Sequence, residues 1–408
     1  MKDRKTNRRT FLKTAAVTTA GWSIVSARSV AGTTANSKIR LGVIGSGGRG
    51  YFVCSKFQNN VPDDVEIVAL HDYFEDRFDR IVERFKVPKS RCYTGLDDYM
   101  KIVEAEDVDG VIITSPPYFH PEQTERAVAA GKHVWLAKPV AVDVPGCLRI
   151  KETGKKAEGK VTLLVDFQSR NSPFFIEAVK RVRNGDIGPM ITGEAFNQFG
   201  RGGWANTEGM SKVAARIRNW GTDPVLSGDI IVEQAVHAMD IVNWIIDATP
   251  VMAYGTGGLK VRLNAGANWD HFIVIYTYPG DIRVDLNCSQ FMQKGYDNLG
   301  ARIFGDLGAV HAHYRGADWG VGPVKITGQN EWAGTEHDNT WDIGVNNNCK
   351  DFVKSIRTGE FINHADYSAD SAMTSVLGRA ASYRQAEVTW DEILKANEKL
   401  DAGPEIRG

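Results

Sequence analysis

Five short runs in the first part of the chain are apolar almost throughout: residues 39–44, 65–70, 110–114, 132–137 and 161–166. Continuous apolarity over five or six positions, rather than strict alternation, predicts strands covered on both faces, as in a parallel sheet. Helical stretches separate them. Residues 48–57 follow the first run, and residues 121–130 open on Pro121 and close on Gly131. Strand and helix in alternation predict an α/β layer, with 161–166 as its last strand. From Ser172 the pattern changes. A helix begun by Ser172-Pro173 runs to Asn184 and stops at Gly185, after which residues 190–196, 251–256, 271–278, 283–289 and 302–305 read as strands of a mostly antiparallel sheet. Residues 346–357 and 367–383 are predicted to be helical and close the chain.

The ends of the early strands carry chemistry. Gly45, Gly47 and Gly50 form a G-x-G-x-x-G segment between the first strand and its helix. In such a segment the first glycine permits the turn, the second lets backbone approach a pyrophosphate, and the third lets the helix pack on the strand. The helix start at Gly48 and Arg49 offers N–H groups and partial positive charge to phosphates. Asp72 ends the second strand 22 residues after Gly50, where a carboxylate accepts both ribose hydroxyls and repels a 2′-phosphate. These features predict a Rossmann dinucleotide-binding domain over residues 38–168, followed by an α+β domain over residues 169–408. NAD is the expected cofactor, and Arg77, close to Asp72, keeps NADP open. In open parallel sheets ligands lie beyond the carboxyl ends of the strands, which adds Ser115, Pro116, His120 and Lys138 as cofactor-facing candidates. Pro139 biases Lys138 toward extended backbone that reaches over the crevice. His120 also reads as a cap for the helix that begins at Pro121.

Between Gly228 and Ile246 the sequence is predicted to form one helix, with Glu233, His237, Asp240 and Trp244 on a single stripe at steps of four, three and four. A solvated polar face would show the same spacing, but the strongly apolar flanks point to a buried helix with a polar edge facing a cleft. Histidine is the natural proton acceptor near neutral pH.

These residues together resemble the Gfo/Idh/MocA family, that of glucose-fructose oxidoreductase and inositol dehydrogenase. The resemblance runs from Lys38 to Asp391. It rests on the glycine segment, Thr114-Ser115-Pro116-Pro117 with His120, Gly131-Lys132-His133-Val134 leading to Lys138-Pro139, the segment from Glu233 to His237, and Glu387-Val388-Thr389-Trp390. Two departures stand out: Ala137 replaces the usual glutamate before Lys138, and Glu233 replaces an aspartate. The resemblance implies an oxidoreductase acting on a carbinol of a sugar or polyol, with Lys138, Glu233 and His237 as its catalytic group. His237 would take the hydroxyl proton, Lys138 would hydrogen-bond the reacting oxygen, and Glu233 would orient the lysine or a neighbouring hydroxyl. It also implies a homo-oligomer. Arg170, Arg218, Asn219 and the tryptophans 204, 220 and 244 are residue types that stack on and hydrogen-bond sugars. Of these, Arg170, Trp220 and Trp244, with Asp240 from the stripe, are the expected substrate contacts. His311 and His313 share a strand face without a carboxylate or cysteine partner, so no metal is expected.

Composition adds an address. Arg8 and Arg9 precede a mildly apolar stretch, residues 15–27, that is too short to span a bilayer, and Ser29-Val30-Ala31 has the small residues of a cleavage site. Residues 1–31 therefore read as a twin-arginine signal, which predicts use of that export machinery and a periplasmic or otherwise exported protein. That segment holds seven basic residues and one acidic one, so its removal leaves a chain of charge near −7. A net acidic body without a basic block argues against nucleic acid or an anionic membrane as partner. Five scattered cysteines without a C-x-x-C pair read mostly as buried fillers. Outside the cytoplasm there is no nucleotide pool, so the cofactor is expected to be tightly bound. Two alternatives share the same residues: a glycosidase that oxidises its substrate transiently and reduces it again, and a binding protein that kept the fold without chemistry.

Overall fold

A computed structural model of the chain describes residues 38–200, 205–261, 266–292, 297–315, 324–334 and 340–406. The predicted signal, residues 1–31, and Trp204 lie outside these residues.

Six parallel strands form the first sheet: β1 (Ile39–Ile44), β2 (Val65–Asp72), β3 (Cys92–Thr94), β4 (Gly110–Ile113), β5 (His133–Leu136) and β6 (Leu163–Val165), in the spatial order β3-β2-β1-β4-β5-β6. The order reverses between β1 and β4, which opens a crevice at their carboxyl ends. Five of the strands match the apolar runs. Only β3, three residues with none fully buried, lacked a signal.

Helices Gly48–Asn60, His120–Ala129 and Val144–Ala157 follow β1, β4 and β5. A further cover comes from the far end of the chain. Helix Thr340–Thr358 lays Val345, Cys349 and Phe352 against Phe57, Trp135 and Leu164, with the Phe57 and Phe352 rings 5.8 Å apart edge to face. The division at residue 168 therefore separates the chain but not its layers, since the nucleotide-binding sheet is finished by a helix from the last quarter of the sequence.

The second sheet has nine strands in the order β14-β13-β12-β11-β7-β10-β9-β8-β15. These are β7 (Met190–Gly200), β8 (Met252–Gly258), β9 (His271–Thr277), β10 (Arg283–Met292), β11 (Asn298–Gly305), β12 (Gly308–Arg315), β13 (Val324–Gly328), β14 (Trp332–Ala333) and β15 (Glu387–Thr389). Among the described residues of this sheet, only β7 and β10 pair in parallel. Alternation decides which face is covered: Phe272, Val274 and Tyr276 of β9 are fully buried under helices, while Ile273 and Ile275 are exposed on the opposite face. One apolar cluster runs from Ile113 and Leu136 through Val236 and Met239 to Phe272 and Leu377, so both sheets rest on a shared core. Four of the five cysteines are buried and none is paired. No helix of the described residues is long and apolar enough to cross a membrane.

Candidate active site

The turn after β1 is shaped by close approach. Gly45 has φ +91°, and a Cβ there would lie 2.4 Å from the Ser115 nitrogen; a Cβ on Gly50 would lie 2.3 Å from the Gly45 oxygen. Gly47, by contrast, would meet nothing within 4 Å, because it faces an open cleft. No side chain caps the helix that starts at Gly48, and Gly47, Gly48 and Arg49 at its start line the cleft. Gly45, Gly48, Arg49, Asp72, Ser115 and Pro116 line the same space. Asp72 is held by backbone N–H groups of Ser46 at 2.9 Å and Phe74 at 3.0 Å. Burial pushes its carboxyl up, against those bonds and the charges of Arg77 and Arg218. A cradle open where a phosphate needs room, with a carboxylate at the end of β2, fits a dinucleotide.

At the end of β5, Lys138 reaches the second lobe. Its Nζ contacts the backbone oxygen of Glu233 and lies 3.3 Å from that residue's Oε1. Burial lowers the lysine's pKa, and the Glu233 charge opposes the shift. The expected single helix is interrupted here. Ile230–Glu233 ends at Gln234 (φ −109°), and a new helix runs Val236–Ile246. The break has a use: the His237 N–H bonds to the Gln234 oxygen at 3.3 Å, and the Glu233 carbonyl accepts from the lysine. Gly228 and Asp229 aim the short helix. Both have positive φ, 78° and 68°, and the Asp229 carboxylate accepts from Ile230 N, Trp269 N and the Tyr383 hydroxyl. For a non-glycine residue such backbone is strained, and three bonds hold it. His237, in the first turn after the break, is buried against Tyr314 (ring centroids 5.3 Å apart, stacked) and edge-on to Phe167 at 5.9 Å.

Several expected contacts have other partners. Asp240 is fully buried and its oxygens accept from Arg170 at 2.9–3.1 Å and from Ser371 at 2.8 Å; the Arg170 guanidinium lies 4.0 Å over Tyr367 and 5.0 Å over Trp244. Arg170, Asp240 and Trp244 thus bind one another instead of presenting free groups to a sugar. Trp220 lines the nucleotide cleft, on the cofactor side. His120 does not line the nucleotide cleft and does not cap its helix, for which no side-chain cap exists. Its ring nitrogens lie 2.7 Å from the Pro139 oxygen and 2.8 Å from the Ser115 oxygen; burial lowers its pKa to about 4 against those two carbonyls, and the neutral ring, with one N–H, donates to one of them while packed between the two loops that frame the crevice.

Asp166 escaped notice in the sequence. It follows β6, is fully buried, accepts from Asn348 Nδ2 at 2.8 Å and pairs with Arg49 of the glycine turn. The rule that selects Asp72, an acid at the carboxyl end of a parallel strand, would have selected it too. Its role was hidden because Asn348 comes from the far end of the chain.

A reversing parallel sheet, a glycine cradle with a carboxylate at the end of β2, and a buried lysine joined to a second lobe define a dinucleotide-dependent oxidoreductase. The chain belongs to the GFO/IDH/MocA family: the model of the oxidoreductase family with an NAD-binding Rossmann fold matches residues 39–165, and that of the GFO/IDH/MocA C-terminal domain matches residues 175–311. It is 28% identical to inositol 2-dehydrogenase of Acidothermus cellulolyticus over 276 residues, 67% of this chain and 72% of the relative. It is 29% identical to an alpha-N-acetylgalactosaminidase of Shewanella oneidensis over 211 residues, 46% of this chain and 45% of that protein. Among solved structures, scyllo-inositol dehydrogenase of Lactobacillus casei with bound NAD(H) and scyllo-inositol shares the fold, with TM-score 0.66 at 17% identity over 86% of this chain and 99% of the other. The protein is therefore an NAD-binding oxidoreductase of this family.

Proposed function

We propose that the protein is an exported dehydrogenase of a cyclic polyol or sugar that keeps its NAD bound between turnovers. The observation that carries this reading is Lys138, held against Glu233 one turn before His237 and near enough to Arg49, which lines the nucleotide cleft, to feel its charge. The cleft residues Gly47, Gly48, Arg49 and Asp72 would hold NAD, and the nicotinamide, when bound, supplies the hydride acceptor. An ammonium has three N–H groups. Two of Lys138's are directed at Glu233, which leaves one for the reacting oxygen of the substrate. As the hydroxyl loses its proton to His237, that N–H stabilises the alkoxide. The ring stacked on Tyr314 keeps His237 in one orientation, so no reorganisation is needed at that moment. The carboxylate of Glu233 counters the desolvation that would otherwise strip Lys138 of its charge.

Three measurements test the reading. Denaturing the purified full chain should release stoichiometric nucleotide, and a panel of inositols and aldoses should change the NADH absorbance. A chain that releases none and binds no added NAD refutes it. Replacing Arg8 and Arg9 with lysine should stop the protein reaching the periplasm. The likeness to an alpha-N-acetylgalactosaminidase supports a second reading, a redox-neutral glycosidase that oxidises its substrate only transiently. That reaction would cleave a chromogenic glycoside with no net NADH.

A further inference from the structure

The nucleotide cleft is not built by the first lobe alone. Beyond Asp72 its walls are Phe74, Leu96 and Arg77 from the first lobe, and Ile217 and Trp220 from the second. These last two belong to helix Lys212–Arg218 and the turn Trp220–Thr222 that follows it.

This segment is fastened at both ends. On the first-lobe side, the two terminal nitrogens of Arg218 donate to the two oxygens of Asp76, each at 2.8 Å, and the guanidinium lies 3.7 Å over the Phe74 ring. On the other side Arg216 donates to Asp223 at 2.7 Å and to the Ala402 oxygen at 2.6 Å. Between the two fastenings Ile217 is buried in an apolar cluster with Tyr118, Phe119 and Leu226, against which Phe74, Leu96 and Trp220 pack. Arg218 is only 12% exposed although its partner Asp76 is 60% exposed, so the arginine is buried by what it lies on and not by the ion pair itself.

We propose that this segment is a strap that completes the adenosine end of the NAD site and must lift before the nucleotide can leave. A carboxylate at the end of β2 takes the ribose, and the base carried by that ribose then meets the walls beyond Asp72. Apart from Arg77 those walls are aromatic and aliphatic, as a stacked purine requires. Trp220 and Ile217 are therefore nucleotide contacts. The Arg218–Asp76 pair is the latch, and it touches no part of the hydride-transfer site. A protein exported from its nucleotide pool needs slow release, and contacts made only in the closed state act on the dissociation rate. The inference rests on the proposed retention of NAD, and it assigns that retention to particular residues.

The test is the release rate of NADH from the full chain, followed by NADH fluorescence on mixing with excess NAD. Trp220→Ala should speed release by about tenfold to a hundredfold, as loss of base stacking does, while Trp220→Phe should restore most of the retention. Asp76→Asn, on an exposed residue that leaves every cleft wall intact, should speed release by about threefold and weaken the rate's dependence on salt relative to the wild type. Unfolding midpoints without nucleotide identify any variant that fails to fold. Release from folded Trp220→Ala at the wild-type rate overturns the strap. A wild type that arrives empty yet binds added NADH refutes retention in the cell but leaves the strap to be judged by these same rates. A wild type that binds no nucleotide refutes both.

Discussion

Asp240→Asn separates a structural carboxylate from a substrate-binding one. The wild-type side chain is fully buried, takes Nε and Nη2 of Arg170 at 2.9–3.1 Å and accepts from the Ser371 hydroxyl at 2.8 Å. Removing one member of a buried ion pair costs about 3–5 kcal/mol, chiefly because the other charge is left without a partner. Arg170 retains 16% exposure and the faces of Tyr367 and Trp244, and asparagine can still accept from Ser371. These place the expected loss at the lower end, about 3 kcal/mol. Urea unfolding of the nucleotide-free protein measures it as a fall in midpoint with unchanged slope. The folded fraction should keep its KM for substrate. The paired replacement Arg170→Met with Asp240→Leu should recover most of the stability, since apolar substitutes for a buried pair are close to neutral. A variant of wild-type stability with a KM raised by an order of magnitude would return Asp240 to the substrate and refute the argument.

Lys138→Met should lower kcat/KM by about 10²–10³-fold, the usual effect of losing an oxyanion donor, with NADH affinity measured by fluorescence little changed. Glu233→Gln removes the charge that keeps Lys138 protonated against burial, so the lysine's pKa falls further and the alkaline limb of the kcat/KM profile should move to lower pH. Burial raises Asp229 from its ordinary 3.8 to about 6, despite its three donors. The folded state therefore holds the proton more tightly than the unfolded chain. Stability from this group is full below about pH 4 and is lost as pH rises through about 6, a change of about 3 kcal/mol. Asp229→Asn should flatten unfolding free energy across that window, as read by urea titrations at stepped pH.

Much of the site was legible because it depends on neighbours in sequence. Gly45, Gly47, Gly50, Asp72, Ser115 and Lys138 all follow apolar strands, and an acid or glycine after such a strand is at the carboxyl edge wherever the sheet forms. The stripe through Glu233, His237, Asp240 and Trp244 misled in part for the opposite reason. Helical spacing reports which residues share a face, not what the face meets. Gln234 interrupts the helix, and Asp240 faces Arg170 rather than a cleft. His120 similarly had the right address and the wrong partners, since its two carbonyl neighbours belong to loops 5 and 19 residues away.

The sequence by itself determined the parallel sheet, the glycine cradle, the cofactor class and the alternating strands of the second layer, because periodicity and turn chemistry act over a few residues. Tertiary structure alone decided what joins distant segments. Helix Thr340–Thr358 completes the first sheet, Asn348 and Arg49 converge on Asp166, and Ile217 and Trp220 close the nucleotide cleft from the second lobe. Each of these contacts depends on burial and charge pairing between residues more than 100 positions apart, and no local pattern records which partner such a residue will find once the core has formed.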